Sequence, residues 1–276
     1  MHKDIDTNHA QQVAAAFSEQ SAIFDNLYSG NTIVQYKRKR IREHVQKYLS
    51  PQSYILELNA GTGEDAVYFA QQGHRVHATD LATGMLQVLQ HKISFHSLGP
   101  SVTYELRSFM DLHNLQQKGP YDMIFSNLAG LNCTDQLDKV LLSFDPLLKP
   151  SGLITLVILP KFCLWETLLA CKGKFKTAFR RFVGSKGAKA HIEGHHFRCW
   201  YYNPSYITRI LGNSFEVLSL EGLCTIVPPS YIEHFAEKHP AAWQWLQKKE
   251  DRWKQSWPWK YIGDYYIITL KKYAGV

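Results

Sequence analysis

The residues best placed to do chemistry begin in ILELNAGTGEDA, residues 55–66. Gly61 and Gly63 sit between an apolar run and a helix-like run, with Glu57 before them and Glu64 and Asp65 after. A glycine turn after a strand lets a ligand touch the backbone. Gly61-x-Gly63-x-x-Ala66 also fits the fingerprint that rests a pyrophosphate on a helix N-terminus. Three carboxylates around the turn would repel a pyrophosphate. They suit a ligand that carries positive groups, an ammonium and a sulfonium. Asp80 ends the next strand pattern, where a carboxylate can accept both hydroxyls of a ribose. Together these features predict a nucleoside site, and S-adenosylmethionine is a nucleoside with both positive groups.

The elements that must hold these residues alternate. Residues 8–28 and 32–49 read as two helices; in the second, Ile33, Val34, Ile41, Val45, Tyr48 and Leu49 recur at helical spacing. From residue 53, SYILELN, RVHATD, VTYELR, YDMIFSN and LITLVIL read as strands. EDAVYFAQQ, GMLQVLQHKISF and a stretch near 134–148 read as the helices between them. This alternation predicts a parallel sheet with helices on both faces. After Pro160 the alternation breaks into a basic, aromatic segment, helical in part. Regular structure returns with a helix near 204–212, a strand near 215–220, a helix across 231–250 and a last strand, DYYIITLKK.

At 276 residues with 45% hydrophobic content the chain is globular in composition, not disordered. No apolar run approaches the ~20 residues that span a bilayer, and the polar N-terminus lacks a signal-peptide core. Five cysteines without a CxxC pair argue for reduced thiols in the cytoplasm and against a structural zinc. The net charge of +7 is concentrated. Seven basic residues and no acid fall within 172–192, and KRKRIR at 37–42 forms a second cluster. No recognition fold accompanies either run, so nucleic acid is not an expected partner.

Four runs, ILELNAGTGEDA, ATDLATGML, YDMIFSN and LLKPSGLITLV, resemble in order and spacing a class I S-adenosylmethionine-dependent methyltransferase over about residues 33–160. More narrowly they are similar to the small-molecule enzymes of the ubiquinone/menaquinone-type and methyltransferase-11-like group. The resemblance implies a Rossmann-like, doubly wound sheet of seven strands, mostly parallel, with the last strand inserted antiparallel. It implies S-adenosylmethionine as cofactor and a small molecule as acceptor. Glu57 matches the acid of the first motif, and Asn59, Ala60, Gly61 and Gly63 match its loop. Asp80 matches the ribose acid, with Leu81 and Met85 beside the adenosine. Ser126 and Asn127 match the strand end that meets the methionine portion and faces the acceptor.

Two positions depart from the pattern. Asn59 stands for the first glycine, and Asn is among the few residues that accept positive φ. Ser108 stands where an adenine-binding aspartate is common, which leaves Ser108, Phe109, Met110 and Asp111 as candidates to meet the adenine. Tyr28 and Tyr36 are candidates to close the cofactor side.

The segment after Pro160 follows the fifth strand, where such enzymes carry substrate caps. Its stripe of Phe175, Phe179, Phe182 and Val183 is therefore read as lying on the substrate rather than on an anionic membrane. His195 and His196, within the same segment, are candidates for a general base, useful if the nucleophile is a phenol. Without companion ligand spacing they predict no metal. VPPSY at 227–231 reads as a rigid turn that could line the acceptor mouth. The expectation is one α/β domain over residues 1–276: N-terminal helices (1–50), cofactor-binding core (51–160), cap insertion (161–202) and the C-terminal part of the sheet (203–276). It would methylate an oxygen or nitrogen of a small aromatic or amphiphilic molecule, without integral membrane association. The alternative is a non-catalytic nucleoside-binding or membrane-associated scaffold with a degenerate site.

Overall fold

The computed structural model describes residues 2–232 and 234–274. Two helices lead, α1 (His2–Ser29) and α2 (Thr32–Gln46), and Asn31 Oδ1 caps the second by accepting the N–H groups of Ile33 and Val34. There follow β1 (Tyr54–Leu58), α3 (Glu64–Gln71), β2 (Arg75–Asp80), α4 (Thr83–Phe95), β3 (Val102–Leu106) and β4 (Tyr121–Ser126). Then come α5 (Leu137–Leu142) and β5 (Leu148–Ile158). The insertion carries α6 (Leu164–Leu168), α7 (Phe175–Phe179) and a hairpin of β6 (Ala188–Ile192) with β7 (His195–Cys199). The chain ends with α8 (Pro204–Leu211), β8 (Phe215–Leu223), α9 (Phe235–Lys238), α10 (Pro240–Trp253) and β9 (Tyr265–Lys272).

The main sheet has seven strands in the order β3-β2-β1-β4-β5-β9-β8. β9 runs antiparallel to both β5 and β8, the inserted last strand that the resemblance implied. Strand alternation sorts the core into two halves. Ile55, Met123, Phe125 and Val157 face one side, against Ile41 and Val45 of α2, Phe69 of α3 and Leu89 of α4. Leu56, Leu58, Ile124, Ile154 and Leu156 face the other, against Val140 and Leu141 of α5 and Ile207 and Leu211 of α8. Successive side chains of a strand point to opposite faces, so a strand buried on both sides reads as an unbroken apolar run. The chain reverses direction across the sheet between β1 and β4, which pair in parallel through Glu57↔Phe125 and Leu58↔Ser126. That reversal opens a crevice beyond the C-terminal strand ends.

Several elements differ from expectation. The helix near 134–148 is only the short α5, with a 3-10 turn at Asp145–Leu147. The helix across 231–250 is two, because Pro240 opens a new one after His239. The hairpin is absent from the sequence reading, although Glu193 and Gly194 at its tip both take positive φ, as a tight two-residue turn requires. The basic run at 37–42 is largely internal. Lys37, Arg38 and Arg40 are buried, and Arg40 pairs with Glu221, Glu250 and Asp251. Among the described residues no helix is long and apolar enough to cross a membrane.

Candidate functional site

A cavity of about 740 Å³ opens at the β1/β4 reversal, within the size range of small-molecule sites. The glycine turn, the end of β2, the turn after β3 and the turn after β4 form its floor, and α1 forms its roof. It brings together Glu57, Asn59, Ala60, Gly61, Asp80, Leu81, Met85, Ser108, Phe109, Met110, Asp111 and Asn127 from the residues anticipated in the sequence.

Glu57 is the group that most asks for a ligand. It is 2% exposed, and its Oε2 has no hydrogen-bond partner among the described residues. Burial, reinforced by the charge of Asp65, pushes its carboxyl well above the ordinary glutamate range. A cation entering the cavity would remove that penalty. Asp80 is arranged differently. Its Oδ2 accepts the Gly61 N–H and its Oδ1 the Ala82 N–H, each at 2.8 Å. Burial raises this carboxyl while those N–H groups oppose the rise. A carboxylate has about four acceptor sites, so one remains on each oxygen for a vicinal diol. The donor set therefore fits S-adenosylmethionine: a cation partner at Glu57 and a ribose partner at Asp80.

The other two acids of the turn do not act as the sequence argument supposed. Glu64 accepts from Arg38 at 3.0 Å and from Lys92 at 2.5 Å. Asp65 accepts from Arg42 Nε at 2.6 Å and from Asn127 Nδ2 at 2.5 Å. Their charge is met by α2 and α4, and the repulsion of a pyrophosphate rests on Glu57 and Asp80. Asn59 takes φ +48 as expected. Its side chain also ties two strand ends together, donating to the Asn127 carbonyl and accepting from Ser126 Oγ. A Cβ on Gly130 would overlap that side chain. Leu128 and Ala129 hold positive φ between them, so the turn after β4 is strained where it meets the cavity.

All four adenine candidates line the cavity, but Asp111 is already bound, accepting from Arg107 at 2.6 Å and Asn114 at 2.8 Å. Ser108 Oγ accepts the Met110 N–H and caps a 3-10 turn.

Sequence reasoning missed Leu128, Cys133, Thr134 and Gln136 beyond β4, and it missed a whole wall from α1. Val13, Ala14, Phe17 and Phe24 form an apolar wall, and His9 lies beside them, accepting the Arg198 N–H. Their helical spacing was legible; what was not was that this helix folds back over the strand ends. The insertion supplies none of the lining residues. Its hairpin packs on α1 instead, with Phe197 against Phe17, and Trp200 just after it lies edge-on to His9. The cavity wall expected from 161–202 is thus supplied by α1 in this structure.

Six anticipated residues lie off the cavity. Tyr28 is one helical turn past Phe24 and packs on it. Tyr36 faces away, packing on Trp243 and accepting from Arg40. Gly63, at φ +75, is needed where α3 meets Leu89, and Ser126 sits behind Asn59. His195 pairs with Glu19 on α1 at 3.2 Å, and His196, exposed, lies tilted against the His191 ring. Strand alternation in β7 turns Phe197 inward and its neighbours away. VPPSY stays clear of the mouth: the loop before it wraps the Glu250 carboxylate, which accepts the N–H groups of Cys224, Thr225, Ile226 and Val227.

A second polar cluster, Cys163, Glu166 and Asp264, has ligand atoms within 4.8 Å of one another. Its negative charge is already met. Arg181 pairs with both carboxylates and Arg180 with Glu166, and against the effect of burial they hold the Glu166 carboxyl below its usual range.

Residues 55–152 match a family model described as a methyltransferase domain. A malonyl-[acyl-carrier protein] O-methyltransferase of Hamiltonella defensa subsp. Acyrthosiphon pisum is 27% identical over 150 residues, 54% of this chain and 53% of that protein. The chain thus spans about half the length of this curated relative. Among solved structures, the [4+2]-cyclase SpnF superposes with TM-score 0.63 at 16% identity, covering 96% of this chain and 97% of that one. The Burkholderia thailandensis 1,6-didemethyltoxoflavin-N1-methyltransferase, solved with S-adenosylhomocysteine, gives 0.55 at 15% identity, over 97% and 90%. At such identities the structural likeness speaks for the fold. The domain match agrees with the motif order: residues 55–152 are similar to methyltransferase domains, and the motifs resemble those of class I S-adenosylmethionine-dependent methyltransferases.

Proposed function

We propose that the protein transfers a methyl group from S-adenosylmethionine to an oxygen or nitrogen of a small aromatic or amphiphilic acceptor. The observation that carries this reading is Glu57, a buried carboxylate with an unpartnered oxygen beside the glycine turn and the ribose-competent Asp80. When bound, S-adenosylmethionine supplies a methyl carbon made electrophilic by its sulfonium. The chain's own residues position and exclude. Glu57 meets the ammonium, Asp80 the ribose, and Met85, Phe109 and Met110 offer apolar contact to the base. Phe17, Phe24 and Leu128 keep water from the acceptor side, while Thr134 and Gln136 can orient its polar atoms. Positioning and exclusion of water are the protein's share of such a reaction.

Both atom types stay within the proposal, because one relative is named for O-methylation and a structural neighbour for N-methylation. We read the whole chain as one domain at work in the cytoplasm, in keeping with its five free cysteines. A second reading is that the protein holds the cofactor without spending its methyl group; a neighbour named as a cyclase shows that the fold is not tied to methyl transfer. Incubation with methyl-labelled cofactor and an acceptor panel, read by mass spectrometry, separates the two. Labelled product with stoichiometric S-adenosylhomocysteine supports methyl transfer; tight cofactor binding with no transfer across the panel supports the second.

A further inference from the structure

The insertion after β5 carries a surface that nothing in the described chain covers. Phe175, Phe179 and Phe182 are 60%, 56% and 55% exposed, and Leu168 and Val183 are exposed in the same run. The rings of Phe179 and Phe182 lie 6.2 Å apart, and α6 packs on α7, so these side chains form one patch. None of them lines the cavity, so the stripe does not lie on the substrate. The same segment carries Lys172, Lys174, Lys176, Lys186 and Lys189, all exposed. Within residues 161–192 the sole acid is Glu166, buried under Arg180 and Arg181. Among the described residues no carboxylate pairs with any of the five lysines.

We infer that this face docks peripherally on the anionic surface of a lipid bilayer. An exposed apolar patch in a lysine-rich segment matches the two chemistries of an anionic leaflet, acyl chains below and negative headgroups above. The long lysine stems can lie along the patch while their ammonium groups reach the headgroups. Single-stranded nucleic acid fits less well. It needs a groove with stacking platforms, whereas this patch mixes its rings with aliphatic Leu168 and Val183, which offer no π-face. The inference rests on this surface alone and is independent of methyl transfer.

The test is co-sedimentation of the full chain with vesicles of phosphatidylglycerol and phosphatidylcholine in equal parts, against vesicles of phosphatidylcholine alone. Wild type is expected to sediment with the anionic vesicles at physiological salt and to be released as salt rises and screening shortens. The Phe175→Ser/Phe179→Ser/Phe182→Ser and Lys172→Gln/Lys174→Gln/Lys176→Gln variants change only exposed side chains, and circular dichroism checks their fold. Each should lose partitioning, the lysine triple by roughly 100-fold. No sedimentation of wild type, or a phenylalanine triple that binds as well as wild type, overturns the inference. So does displacement of the protein from vesicles by a single-stranded RNA that binds it more tightly.

Discussion

The backbone N–H of Gly61 donates to Asp80 Oδ2 at 2.8 Å, so the glycine turn and the end of β2 form one unit before any ligand arrives. The Ala82 N–H on the other oxygen completes the clamp. Asp80→Ala should therefore do two things at once. It removes both ribose acceptors, costing roughly 2–4 kcal/mol in cofactor affinity. It also strands two backbone donors, so the melting temperature should fall, which a carboxylate serving the ligand alone would not cause. Calorimetry and thermal melts read the two effects separately.

Glu57 sets function against stability. Its folded-state pKa is raised by burial above the unfolded value. The ligand-free protein is thus most stable, as far as this group goes, below the ordinary glutamate pKa, and loses that stability as pH rises towards the folded value. Glu57→Gln should stabilise the ligand-free protein at neutral pH by about 1–3 kcal/mol, or several degrees in Tm. Cofactor affinity should fall in the same variant.

The same sign governs binding. Below the raised pKa, Glu57 is protonated, and an ammonium must drive its proton off. Affinity for S-adenosylhomocysteine should weaken as pH falls, and titrations in buffers of different ionisation enthalpy should report proton release. In Glu57→Gln both effects should shrink.

His195 and His196 lie outside the cavity, on Glu19 and His191. Their double alanine variant should keep turnover within about threefold of wild type, against the ~10²–10⁴-fold loss that removal of a general base brings. Phe17→Ala should instead raise KM for the acceptor, with cofactor affinity near wild type, because Phe17 belongs to the α1 wall.

The floor of the site was legible and its roof was not. Glu57, Asn59, Gly61 and Asp80 lie close together in sequence on consecutive strand–turn–helix units, so local spacing decides their geometry. The roof depends on α1 returning over the strand ends, held by Thr62 on Asp25 and Lys92 on Asp25. These contacts join distant parts of the chain, and no local periodicity announces them. The insertion is hard to read for a related reason. Its aromatic residues suit a pocket lining or an exposed face equally, and only packing decides. Charge count alone does not show exposure either: within KRKRIR, Arg40 lies buried among Glu221, Glu250 and Asp251.

The central claim is that the β1/β4 crevice holds S-adenosylmethionine through Glu57 and Asp80. Its most direct test is calorimetric titration of wild type and Glu57→Gln with S-adenosylhomocysteine and with NAD. The account predicts that wild type binds S-adenosylhomocysteine far more tightly than NAD, and that Glu57→Gln loses most of that preference while remaining folded. Tighter binding of NAD by wild type, or an unchanged preference in Glu57→Gln, would contradict it.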